Sequence, residues 1–135
     1  MKLENQVCTE SQGYKLEQLG VSTDCLFCYC MVSTSFEKDR KGILPTKWEI
    51  VGLSYLATTR IAPAYTAAEL GIMINWDLVF VSSPYSNRQG WVFGAINDWQ
   101  IENKNETIGR GDVLIYLLES RKMKVEEVNK ALLNF

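Results

Sequence analysis

The residues of this chain best suited to chemistry are four thiols. Cys8 stands alone, while Cys25, Cys28 and Cys30 fall within the six-residue stretch CLFCYC. Together they match the donor count of a closed tetrathiolate zinc site. The Cys25-x-x-Cys28 pair also has the spacing of a redox dithiol. The arrangement suits neither chemistry. Structural zinc sites use two paired knuckles, and here one tight cluster accompanies a single distant thiol. On a strand, side chains alternate, so Cys28 and Cys30 share one face while Cys25, Phe27 and Tyr29 take the other. A redox dithiol needs its first sulfur at a helix N-terminus, where the dipole lowers its pKa. The favoured reading is therefore a buried strand in which cysteine packs as a small hydrophobe. A metal site on Cys8, Cys25, Cys28 and Cys30 is the alternative, and no cofactor is expected.

There is no histidine in the chain. Ser-His-Asp and Cys-His catalysis, and any zinc site that needs imidazole, are excluded by composition. No catalytic residue is assigned from the sequence. An enzyme would have to work with carboxylate, tyrosine and lysine groups, and that is the second functional reading. The carboxylates Glu37, Asp39, Glu49, Glu69, Asp77, Asp98, Glu102, Glu106 and Asp112 are scattered, and no spacing forces two onto one buried face. They are expected to be solvated or to sit at helix starts. The stretch GRGD, Gly109 to Asp112, lacks the longer glycine pattern and the Lys-Ser/Thr of a phosphate loop. It is read instead as a loosened first turn of the C-terminal helix, with Thr107 or Asp112 as the cap.

The aromatic residues are the larger resource. Trp48, Trp76, Trp91 and Trp99, with Tyr55, Tyr65 and Tyr85, are expected mostly in the core or in cross-strand pairs. Any that cluster in the open would mark a surface for another protein. Basic residues do not interleave with them, and the net charge is -2, so nucleic acid is not favoured as a partner. The opening MKLENQ has no apolar run and does not read as a secretory signal, and no stretch approaches a membrane span. A cytoplasmic protein with reduced thiols is the expectation. Oligomeric state is left open.

The elements that must hold these residues follow from caps and periodicity. A chain of 135 residues fits one domain, taken as 1–135. Thr9 and Gln12 form a capping box that opens a short helix, and Gly20 suits its left-handed stop. Residues 24–33 and 48–58 read as strands, joined across a charged segment with Gly42 and Pro45. Thr66 and Glu69 form a second capping box, with Ala67, Leu70, Met73 and Ile74 as the apolar face of a short helix. WDLVFVSS and GWVFGAIND flank the turn-rich PYSNRQ as a hairpin. In the last third, Val113, Leu114, Leu117 and Leu118 form one helical stripe, and Val125, Val128, Leu132 and Leu133 a second. The fold class is α+β. The expected architecture is a small, mainly antiparallel sheet of about four strands, packed with N-terminal, central and C-terminal helices.

Three segments, VCTESQGYKLEQLGVSTDCLFCY, IAPAYTAAELGIMI and VLIYLLESRKMKVEEVNKAL, resemble small uncharacterised proteins encoded by phages, prophages and conjugative elements of Bacteroides-type gut bacteria. The resemblance covers most of the chain and is weakest over positions 34–48. Relatives often carry an acidic residue at the position of Ile72 and an alanine-rich stretch in place of GRGD, and they do not require cysteine at 25–30. It implies a cytoplasmic mobile-element protein, and transfers no activity and no site residue. The leading functional expectation is a non-catalytic module that binds another protein.

Overall fold

A computed structural model describes residues 5–33, 46–52, 59–84 and 90–134. The elements run α1 (Glu10–Gln18), β1 (Phe27–Ser33), β2 (Thr46–Gly52), β3 (Thr59–Pro63), α2 (Ala67–Met73), β4 (Phe80–Ser82), β5 (Trp91–Gly94), β6 (Gln100–Asn103), α3 (Glu106–Glu119) and α4 (Val125–Leu133). The class is α+β and every strand pairing is antiparallel, as expected. The strands divide between two three-stranded sheets, ordered β2-β1-β3 and β4-β5-β6, rather than one sheet of about four.

Two strands account for the difference. The sequence TRIAP, between the second expected strand and the central helix, becomes β3 and pairs with β1. A bulge between Tyr29 and Cys30 lets Ala62 and Arg60 take their partners. QIEN contains one apolar residue and gives no strand signal of its own. It becomes β6 because the turn after β5 folds it back, with the Ala95 N–H bonded to the Trp99 carbonyl and Asn97 at a φ of 59°. Asparagine tolerates that left-handed geometry, which makes it a turn residue. The hairpin expected between WDLVFVSS and GWVFGAIND is the β4–β5 pair. Its PYSNRQ connection lies largely outside the described residues, as do the segment at 34–45, the second half of the strand expected at 48–58, and the side chains of Trp48, Tyr55 and Tyr85.

The helix caps follow the sequence closely. Thr9 accepts from the Gln12 N–H at 3.2 Å and Gln12 Oε1 accepts from the Thr9 N–H at 3.0 Å. Thr66 and Glu69 repeat the arrangement at α2. Gly20 adopts a φ of 97° just after the C-cap Leu19. The cap of α3 differs from the expectation. Asn105, not Thr107 or Asp112, receives the Ile108 N–H at 3.1 Å, so the helix starts earlier and GRGD lies inside it. Gly109 and Gly111 are buried there, one against the ring of Phe93 and the other against the amide of Gln12. Their small size serves packing between elements.

Leu16 of α1, Leu70 and Met73 of α2, Phe93 of β5 and the stripe Val113, Leu114, Leu117 and Leu118 of α3 form the centre of the core, with Val128 and Leu132 closing it from α4. Leu133, expected on the same stripe as Leu132, is 81% exposed. The short turn at 120–124 sets that phase, with Arg121 at a φ of 61° just after the C-cap Ser120. No helix among the described residues is long and apolar enough to cross a membrane.

Candidate functional site

The thiols are placed by the strand and the N-terminal segment together. Val7 bridges to Thr66, and the Cys8 N–H bonds to the Tyr65 carbonyl at 2.8 Å, which lays Cys8 beside the chain entering α2. The Tyr29 hydroxyl donates to the Cys8 carbonyl at 2.6 Å, so Cys8 lies on the Tyr29 side of β1. Cys25 precedes the strand, which begins only at Phe27, and its thiol donates to the Phe27 carbonyl at 3.0 Å. Cys8 and Cys25 both belong to the core cluster, whereas Cys28 is buried outside it. Burial pushes the Cys8 thiol up to about 12, and the neighbouring Cys25 adds to the effect. A thiol held neutral in this way is a poor nucleophile near neutral pH. Among the described residues no three Cys, Asp or Glu side chains converge to hold a metal ion, and the Cys30 side chain lies outside that set.

Glu69 sits at a helix start, as expected, and is buried there. It is 2% exposed, because its oxygens complete the α2 capping box and also accept the Leu26 N–H at 3.1 Å. It therefore ties the segment before β1 to the start of α2. Tyr65 is likewise wholly buried, with its hydroxyl donating to the Ser22 carbonyl at 2.6 Å. Both groups are consumed by structure.

Two surface features of the described residues lie towards opposite ends of the β4-β5-β6 sheet. At one end an open cleft of about 790 Å3 lies between the start of β5 and the first turns of α2 and α3. Phe27 and Trp91 line it with aromatic surface, and Lys104 and Glu106 bring charge. Glu106 is held by Arg110 at 2.6 Å, and Arg110 in turn donates to the Ala67 carbonyl at 2.8 Å and lies 5.4 Å from the Trp76 ring centre. Gly71 makes room for that guanidinium, since a β-carbon there would overlap it.

At the other end, β4 is an outer strand of its sheet. Phe80 and Val81 are 41% and 48% exposed, and Leu78 and Ile96 add further open apolar surface. Phe80 pairs with Gly94, so Leu78 and Ile96 each lie two residues beyond the same cross-strand pair. Of the eight large apolar residues exposed among the described ones, four belong to this group. Single exposed apolar residues are ordinary, and Phe80 and Val81, as neighbours on a strand, face opposite sides of the sheet, so β4 exposes apolar side chains on both faces of its edge. The sequence missed it because WDLVFVSS reads equally well as a strand with one buried face.

The sequence therefore named the thiols and scattered acids, and the structure removes Cys8 and Glu69 into packing and hydrogen bonding. It brings Phe27, Trp91 and Lys104 together in one cleft and leaves Leu78, Phe80, Val81 and Ile96 exposed towards the other end of the sheet. Comparison with protein-family models, with curated proteins and with solved structures gives no match.

Proposed function

We propose that the chain is a non-catalytic protein-binding module of the cytoplasmic kind that mobile elements encode, and that its partner adds a strand to β4. The exposed Phe80 and Val81 on an outer strand carry this reading. In strand addition, main-chain hydrogen bonds give affinity while alternate side chains fill pockets that give specificity. Natural proteins blunt outer strands with lysine, an inward charge or very short length, and β4, with the sequence FVS, carries no charge and is three residues long. The apolar residues beyond Gly94 and before Phe80 extend the surface that a partner's side chains would cover.

The enzyme reading requires a carboxylate or tyrosine beside a lysine in an enclosed pocket. The cleft supports it poorly, because Glu106 is neutralised by Arg110 and the space is open. The mobile-element origin rests on the sequence resemblance alone.

Selection of a displayed random-peptide library on the purified chain tests the binding reading. Enrichment of short peptides with alternating apolar residues, lost when the chain carries Val81→Lys, supports it. Failure to enrich any peptide, or enrichment indifferent to Val81→Lys, contradicts it.

A further inference from the structure

The cleft at the far end of the same sheet is separate from the outer strand β4. Its volume of about 790 Å3 and its two aromatic walls suit a small organic molecule. Asn103 is the cross-strand partner of Trp91 and Lys104 follows it directly, and Trp91 and Lys104 both line the cleft. Among the described residues neither the Lys104 ammonium nor the Trp91 indole N–H makes a hydrogen bond or ion pair. Three of the other polar side chains nearby are already committed. Glu106 is paired with Arg110, and the Thr66 and Asn105 side chains cap their helices. Among the described residues that line the cleft, Lys104 is the one charged side chain without an ion pair, and Phe27 and Trp91 supply flat apolar surface.

We propose that this cleft binds a small aromatic carboxylate, with its ring against Phe27 and Trp91 and its carboxylate on Lys104. A planar ring gains from stacking on the two side chains, and the carboxylate takes a charge-assisted hydrogen bond from the ammonium. A neutral analogue of the same shape keeps the first contribution and loses the second. An acidic peptide with an aromatic side chain is the competing occupant.

Amide correlation spectra of the isotope-labelled full chain test the proposal, with 1-naphthoate and indole-3-acetate as probes and their primary amides as neutral controls. The expected shifts fall on Phe27, Thr66 to Ala68, Trp91 and Lys104 to Thr107, and the acids bind more tightly than the amides. Lys104 is exposed, so Lys104→Gln should leave the unliganded spectrum intact. It should weaken the acids about fivefold and leave the amides unchanged. The proposal is overturned by the absence of shifts at millimolar probe, by acids and amides that bind alike in both proteins, or by shifts elsewhere on the surface. Binding of a short acidic aromatic peptide without binding of the free acids overturns it in favour of a protein ligand.

Discussion

The side-chain amide of Gln12 donates to the Asp112 carboxylate at 2.7 Å, joining the first turn of α1 to the middle of α3 across 100 residues of sequence. The same amide nitrogen donates to the Ile108 carbonyl at 2.8 Å, while its oxygen caps the Thr9 N–H. One side chain thus closes a helix cap and ties the two helices together. A β-carbon on Gly111 would stand 2.8 Å from that amide, so Gly111 is what lets it enter.

Truncation of this amide and filling of the space beside it should therefore not add. Gln12→Ala removes three hydrogen bonds from a buried position and should cost about 1–3 kcal/mol. Gly111→Ala gains helix propensity of about 1 kcal/mol but collides with the amide, and should be neutral or destabilising. In the Gln12→Ala background the collision is gone, and Gly111→Ala should become stabilising. A double-mutant cycle by urea unfolding measures the coupling. Strict additivity would mean that the amide moves aside freely.

Gly13 and Gly109 should rank differently from what helix propensity suggests. A β-carbon on Gly13 would overlap the Pro63 carbonyl, a backbone atom fixed at the end of β3. One on Gly109 would stand 2.5 Å from the Phe93 ring, a less severe approach and to a side chain rather than to backbone. Gly13→Ala should cost about 3 kcal/mol and Gly109→Ala less, about 1–2 kcal/mol. Thermal unfolding of the two variants settles the order, and equal or reversed costs would contradict it.

These glycines mark where the sequence stopped being legible. Thr9, Gln12, Thr66 and Glu69 could be read because a cap is satisfied within four residues. The stripe on α3 could be read because its period is local. The roles of Gly13, Gly109 and Gly111 depend on what another element brings near, and no local pattern carries that. Glu69 shows the same boundary. Its capping role was visible, but its burial follows from the Leu26 N–H, 43 residues earlier. β6 could not be read because its partner, not its composition, makes it a strand. The exposure of Phe80 and Val81, which carries the functional reading, depends on β4 being an outer strand, and strand order is not written in a strand's own residues.

Alkaline stability should report the buried thiol. Cys8 is pushed up from its ordinary 9.0 to about 12, chiefly by burial, and the Tyr65 phenol is also raised, chiefly by burial. A raised folded-state pKa means that the folded chain keeps its proton while the unfolded chain loses it. The stabilisation is complete below pH 9 and is lost as the pH rises towards about 12. The urea midpoint should fall between pH 9 and 11, and Cys8→Ala should make that fall shallower. In the native protein at pH 8, Cys8 should also resist alkylation until denaturant is added. A midpoint with no dependence on pH in this range would contradict the burial of both groups.

Amide hydrogen exchange on the chain with and without a selected strand-like peptide tests the binding claim most directly. If the partner adds to β4, the bound peptide should slow exchange at the Phe80 to Ser82 amides that have no sheet partner in the free chain. Val81→Lys should abolish that protection while leaving the exchange of α3 unchanged. Protection confined to other elements, or no slowing at β4 at saturating peptide, would contradict strand addition as the function of this surface.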